Sequence, residues 1–204
     1  MDAGRPSCVL TTVFRLLARV RRARAFHPRG VRMSGELVGS EPFPSHATVT
    51  ARVSKGAGTG RGVPDVLGLA LRIPTGSGDW DLLLSSTGTG RFSRLLPRFA
   101  AGWRGTALGT ILPYRYRGEL MWFMAVPADP RPGEAPTRFR LHAAGSTADW
   151  RRVGEVTLHD LGHDEPLAFD PMVNRPPELE LAPRWLTALR EQAYAGSRRG
   201  RRRS

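Results

Sequence analysis

Two histidine–aspartate pairs, His159-Asp160 and His163-Asp164, recur at a four-residue interval. His and Asp together ligate divalent metals, and a bound metal generates hydroxide for phosphodiester hydrolysis. If the stretch were helical, both histidines would share a face. Gly162 interrupts it and Pro166 follows, so the same residues also read as a polar loop. A histidine–aspartate phosphodiesterase needs ligands distributed along several helices, which this sequence lacks. Other chemistries find no motif. Cys8 is the only cysteine, which forbids an internal disulfide and a four-cysteine zinc site. No Gly-x-Ser-x-Gly elbow, P-loop or dinucleotide fingerprint occurs. Gly56-Ala-Gly58-Thr-Gly60 lacks the Lys-Ser/Thr ending of a phosphate loop and reads as a hairpin loop.

The elements that must position such groups are mostly strands. The chain has 204 residues, which suits one domain with a real core. Its 23 glycines and 17 prolines are well above the usual share, and turn-rich chains are more often β than helical. Residues 1–10 read as disordered. Val13, Leu16, Leu17 and Val20, with arginines between them, predict an amphipathic helix from Thr11 to about Ala25. Short apolar runs split by Gly, Pro and Ser then predict strands near Val31–Gly39, Ala47–Ser54, Val66–Ile73 and Asp79–Ser85. A Gly-rich connection and a short helix at Arg91–Ala101 lead to four more, near Ala107–Arg117, Glu119–Val126, Thr137–Ala144 and Val153–His159. Pro127–Pro136 is a loop, and Pro166–Pro183 an extended segment whose prolines block regular structure. Trp185, Leu186, Leu189 and Tyr194 predict a terminal helix over Arg184–Ser197, and 198–204 is a basic tail. Eight short strands around a helical connection suggest a closed antiparallel barrel, with a two-layer sandwich the alternative.

The net charge is +13, and Lys55 is the only lysine among 31 cations. Such an arginine excess looks like coding bias in a GC-rich genome as much as selection for anions. The arginines gather early, at Arg15, Arg19, Arg21, Arg22 and Arg24, and late, at Arg198, Arg199, Arg201, Arg202 and Arg203. Nucleic acid or an acidic membrane surface would use such clusters. No stacking aromatics are interleaved with them, so a solvated helix face and a basic tail are the preferred reading, with no nucleic-acid partner. No apolar run is long enough to span a membrane. Arg15 and Arg19 interrupt the stretch a signal peptide would need, so a cytoplasmic location is expected.

Three segments, taken together and in order, resemble the haem-binding core of the catalase superfamily. Arg24-Ala-Phe-His27-Pro-Arg-Gly30 is similar to the segment with an Arg and the distal His before the first barrel strand. Ala51-Arg52-Val-Ser54, Pro64-Asp65-Val-Leu-Gly68-Leu-Ala70 and Gly78-Asp-Trp-Asp81-Leu82 resemble the three strands that follow. Leu167-Ala-Phe-Asp170-Pro171, Arg190-x-x-x-Tyr194 and Arg201 resemble the Phe-Asp-Pro approach and the helix bearing the proximal tyrosine. The resemblance covers most of residues 24–201. It implies an α+β, mainly β fold: an eight-stranded antiparallel catalase-like barrel with flanking helices and a C-terminal haem-ligand helix.

The same resemblance implies one haem b and a role for each residue. Tyr194 would ligate ferric iron as phenolate, and Arg190, one helical turn earlier, would stabilise that anion. His27 would shuttle a proton between peroxide oxygens, with Ser54 orienting its ring. Arg24, Arg52 and Arg201 would pair with haem propionates. The substrate would be hydrogen peroxide or an organic hydroperoxide, used with a small reductant in a catalase, peroxidase or allene-oxide-synthase-like reaction.

The departures bear on turnover. Ser86 stands where the family has a peroxide-binding asparagine. Phe26 replaces a small residue before the distal His, and no Phe pair follows Ser86. The resemblance extends to neither the family's long N-terminal arm nor its C-terminal domain. Weak catalase activity is therefore expected. A non-enzymatic haem-binding module, or a degenerate barrel that no longer binds haem, is the competing reading; a metal-dependent phosphodiesterase is a third.

Overall fold

In the computed structural model, residues 30–55, 63–160 and 168–182 are described. They form ten strands: β1 (Gly30–Gly39), β2 (His46–Lys55), β3 (Leu67–Thr75), β4 (Gly78–Ser86), β5 (Leu108–Gly109), β6 (Tyr114–Tyr116), β7 (Glu119–Pro127), β8 (Arg138–Ala144), β9 (Arg151–Asp160) and β10 (Leu179–Leu181). Antiparallel pairing runs β1-β2-β3-β4-β5-β7-β8-β9 and returns from β9 to β1, so eight strands close a barrel. Closure removes the sheet edges that an open sandwich would leave. β6 continues the line of β5 along β7, and β10 adds to β6.

Strand formation follows the alternation of apolar residues. Val49, Ala51 and Val53 of β2, Leu67, Leu69, Leu71 and Ile73 of β3, and Trp80, Leu82 and Leu84 of β4 are buried inside the barrel. Residues between them face outward, as the period of two requires. Phe43, Trp80, Tyr114 and Phe123 interlock in the interior, with ring centroids between 5.0 and 5.8 Å apart. Side chains thus fill the barrel as a core.

Several expectations need correction. The strand expected over Ala107–Arg117 is broken into β5 and β6, and Pro113, which has no N–H to give a ladder, lies between them. The expected helix at Arg91–Ala101 is a single 3-10 turn, Ser93–Leu95, and no α-helix occurs among the described residues. Backbone pairing competes for that segment: Thr87 bridges Pro97, and Asp65 bridges Ala100. The segment is also pinned by Arg94, whose guanidinium lies 3.7 Å from the Trp122 ring centroid and donates to the carbonyls of Gly145 and Ser146 at 2.8 and 3.1 Å. Leu179–Leu181, expected to be irregular, pairs as β10. The expected disordered residues 1–10, both terminal helices and the basic tail lie outside the described residues.

Candidate functional site

The second motif segment and Gly30, the last residue of the first, lie together on β1–β4. Arg52 and Ser54 are two apart on β2, so both project outward, opposite in parity to buried Ala51 and Val53. Across the ladders Gly30, Ser54, Gly68 and Ser85 stand in one row, and Arg32, Arg52, Ala70 and Leu83 in the next. The first row is a floor of small residues. Glycine lets neighbouring side chains lie across it: a Cβ at Gly30 would lie 2.3 Å from Arg52 Nε, and one at Gly68 would lie 3.0 Å from Ser54 Oγ. Four strands at the usual spacing make this floor about 14 Å across. Arg32 and Arg52 supply cations beside it.

The described part of the third segment, Ala168-Phe169-Asp170-Pro171, is clamped onto the same face. Asp81 is fully buried, although it points outward from β4, because residues 168–174 cover it. Its carboxylate takes both prongs of Arg72 on β3, Nε to Oδ1 at 2.7 Å and Nη2 to Oδ2 at 2.8 Å. Oδ2 also accepts from the Asp170 amide at 2.7 Å and from Asn174 Nδ2 at 2.9 Å. The Asp81 amide donates to the Asn174 carbonyl at 2.9 Å. Arg72 Nη2 donates further to the Ala168 carbonyl at 2.9 Å, and its guanidinium lies 5.5 Å from the Phe169 ring centroid. The hydrogen-bonded Asp81 carboxylate raises the Arg72 pKa. Fork-to-fork pairing of this kind fixes orientation as well as charge. Segments far apart in sequence are thereby held together, and Arg72 and Asn174 are the residues that sequence reading did not single out.

The structure does not bring Ser86 to this face. It shares parity with Leu82 and Leu84, is buried, donates to the Arg98 carbonyl, and accepts from the Leu67 amide at 3.1 Å. Both capacities of its hydroxyl are used by backbone. Ser85, in the row with Ser54 and Gly68, is the serine that faces outward. Alternation with Leu82 and Leu84 was the signal for this. Arg24, His27, Arg190, Tyr194 and Arg201 lie outside the described residues. His159 and Asp160 end strand β9, in register with Ser34 and Met33, so the first half of the histidine–aspartate repeat is not helical. His163 and Asp164 lie outside the described residues. Among the described residues no group of three or more His, Cys, Asp or Glu could hold a metal ion, and no helix there is long and apolar enough to cross a membrane.

The closed eight-stranded antiparallel barrel is catalase-like in fold, as its similarity to two solved catalases shows. The chain is similar to a fungal catalase at a TM-score of 0.56 and 12% identity, covering 89% of this chain and 61% of that one. It is similar also to catalase A from Saccharomyces cerevisiae, at a TM-score of 0.50 and 13% identity, covering 89% and 62%. The chain thus corresponds to less than two thirds of either catalase. No protein-family description matches it, and no curated protein does.

Proposed function

We propose that this protein binds haem b on the outer face of β1–β4 and processes peroxides, with weak catalase or peroxidase activity. The observation that carries the reading is the convergence of the motif strands and the Phe169-Asp170-Pro171 segment on one face through Asp81. A row of small residues, Gly30, Ser54, Gly68 and Ser85, with the Arg52 guanidinium at its Gly30 end, suits a planar macrocycle bearing carboxylates. Haem held there would supply an iron centre able to cleave a peroxide O–O bond.

The chain's own groups would do the rest. His27 is three residues before Gly30, so the covalent chain keeps its Cα within about 11 Å of the row's end. An imidazole nitrogen of His27 would take the proton from one peroxide oxygen and return it to the other. Ser54 Oγ would hold that ring in orientation, and Ser85, rather than Ser86, would offer the second hydroxyl. Tyr194 would be the iron ligand, its phenolate favoured by Arg190. Arg24, Arg52 and Arg201 would hold the carboxylates, with Arg52 on the floor's edge.

The test is an absorption spectrum of the protein produced with added haem, beside Tyr194→Phe and Ala70→Trp. We expect a ferric high-spin, tyrosinate-type spectrum that is lost in Tyr194→Phe. Ala70 faces outward in the row beside the floor, so the new indole should stand over it and block uptake without disturbing the core. A folded but colourless wild-type protein would make this a degenerate barrel and end the proposal. Peroxide consumption by the coloured protein, abolished in His27→Ala, is the expected activity.

A further inference from the structure

We infer that the connection between β4 and β5 is a docking surface for an anionic lipid bilayer, independent of any cofactor. From Leu82 to Gly118 the sequence contains no acidic residue, while Arg91, Arg94, Arg98 and Arg104 lie within the β4–β5 connection itself. The connection is fastened to the barrel by one set of side chains and turns the others to solvent. Arg94 and Trp103 are buried, and Asp65 pairs with Ala100. What remains outside is apolar and cationic: Phe92 is 75% exposed, Phe99 66% and Leu96 47%, with exposed Arg91, Arg98 and Arg104 interspersed. Large apolar side chains left in water within one short segment mark an interaction surface rather than scattered exposure.

The charge selects the occupant. An acid-free basic segment with protruding aromatic rings matches the interfacial region of an anionic membrane, where rings enter the acyl boundary and guanidiniums meet the phosphates. A neutral protein partner would not require the cations, and duplex DNA would leave the exposed rings of Phe92 and Phe99 in water, whereas an anionic bilayer answers both.

The experiment is sedimentation of the full chain with vesicles of phosphatidylcholine alone, or of phosphatidylcholine mixed with phosphatidylglycerol, at about 0.15 M ionic strength. The protein should pellet with the anionic vesicles and not with the neutral ones. Phe92→Ser/Phe99→Ser, which keeps every charge, should weaken that binding by roughly tenfold or more. A variant with serine in place of Arg198, Arg199, Arg201, Arg202 and Arg203 should still bind. Arg98→Glu or Arg104→Glu gives the same readout through charge should the double variant fail to fold. Unchanged binding in the phenylalanine variant would assign any affinity to the basic termini and overturn the inference. So would absence of binding to anionic vesicles, or binding to duplex DNA with the vesicles left free.

Discussion

Asp81 is the residue on which the candidate site depends. It combines an ion pair, two further side-chain acceptances and a backbone donation, so substituting it affects β3, β4 and the 168–174 segment together. Asp81→Asn keeps the shape but removes the charge opposite Arg72. Because Arg72 retains 22% of its side-chain exposure, the cost should be about 3 kcal/mol, the low end for breaking a buried pair. Denaturant unfolding would read the loss, and limited proteolysis should cut within 168–182 earlier than in the wild type. Equal protection of that segment would mean that other contacts hold it. Ser86→Ala separates structure from chemistry at the neighbouring position. It leaves the Leu67 amide and the Arg98 carbonyl unpaired, so roughly 1–3 kcal/mol of stability should go, while under the proposed function any haem-dependent peroxide turnover stays the same.

Elements show which features are local. Alternation in β2, β3 and β4 is clear because one face is core, and the Arg52-x-Ser54 spacing already implies a shared face. The segment Phe92, Leu95, Leu96, Phe99 has helical spacing, yet no core receives that stripe, and Pro97 and the bridges to Thr87 and Asp65 take its backbone. Barrel closure has no local signature at all. It depends on β1 meeting β9, where Gly35 lies so close to its neighbour that a Cβ would fall 2.0 Å from the Thr157 carbonyl oxygen and 2.8 Å from Leu158 Cα. Those are backbone atoms and cannot swing aside. Gly35→Ala should therefore lower stability by about 3 kcal/mol or more, beyond ordinary overpacking, and shift the urea midpoint accordingly. A midpoint within error of the wild type would mean that the seam yields. The Asp81 clamp was hidden for the same reason as the seam, since its partners come from the other end of the sequence.

At the scale of the molecule the dominant fact is a net charge of +13, which grows as pH falls. His142 on β8 couples that charge to stability. Burial lowers its pKa, and the positive charges of Arg152 and Arg140 lower it further. Above the ordinary histidine pKa of about 6.5 the ring is neutral whether the chain is folded or not, so His142 contributes no pH dependence to stability there. As pH falls through that value, the unfolded chain takes a proton that the folded chain refuses. The unfolded state then binds more protons, and stability declines with pH until the lower folded pKa is reached, where the decline stops. His142→Gln removes the site from both states. Its Tm, followed from about pH 8 to pH 5, should therefore fall less steeply than that of the wild type below pH 6.5, and the two slopes should agree above it. Parallel curves across the whole range would show that the acid sensitivity comes from elsewhere in the cationic surface.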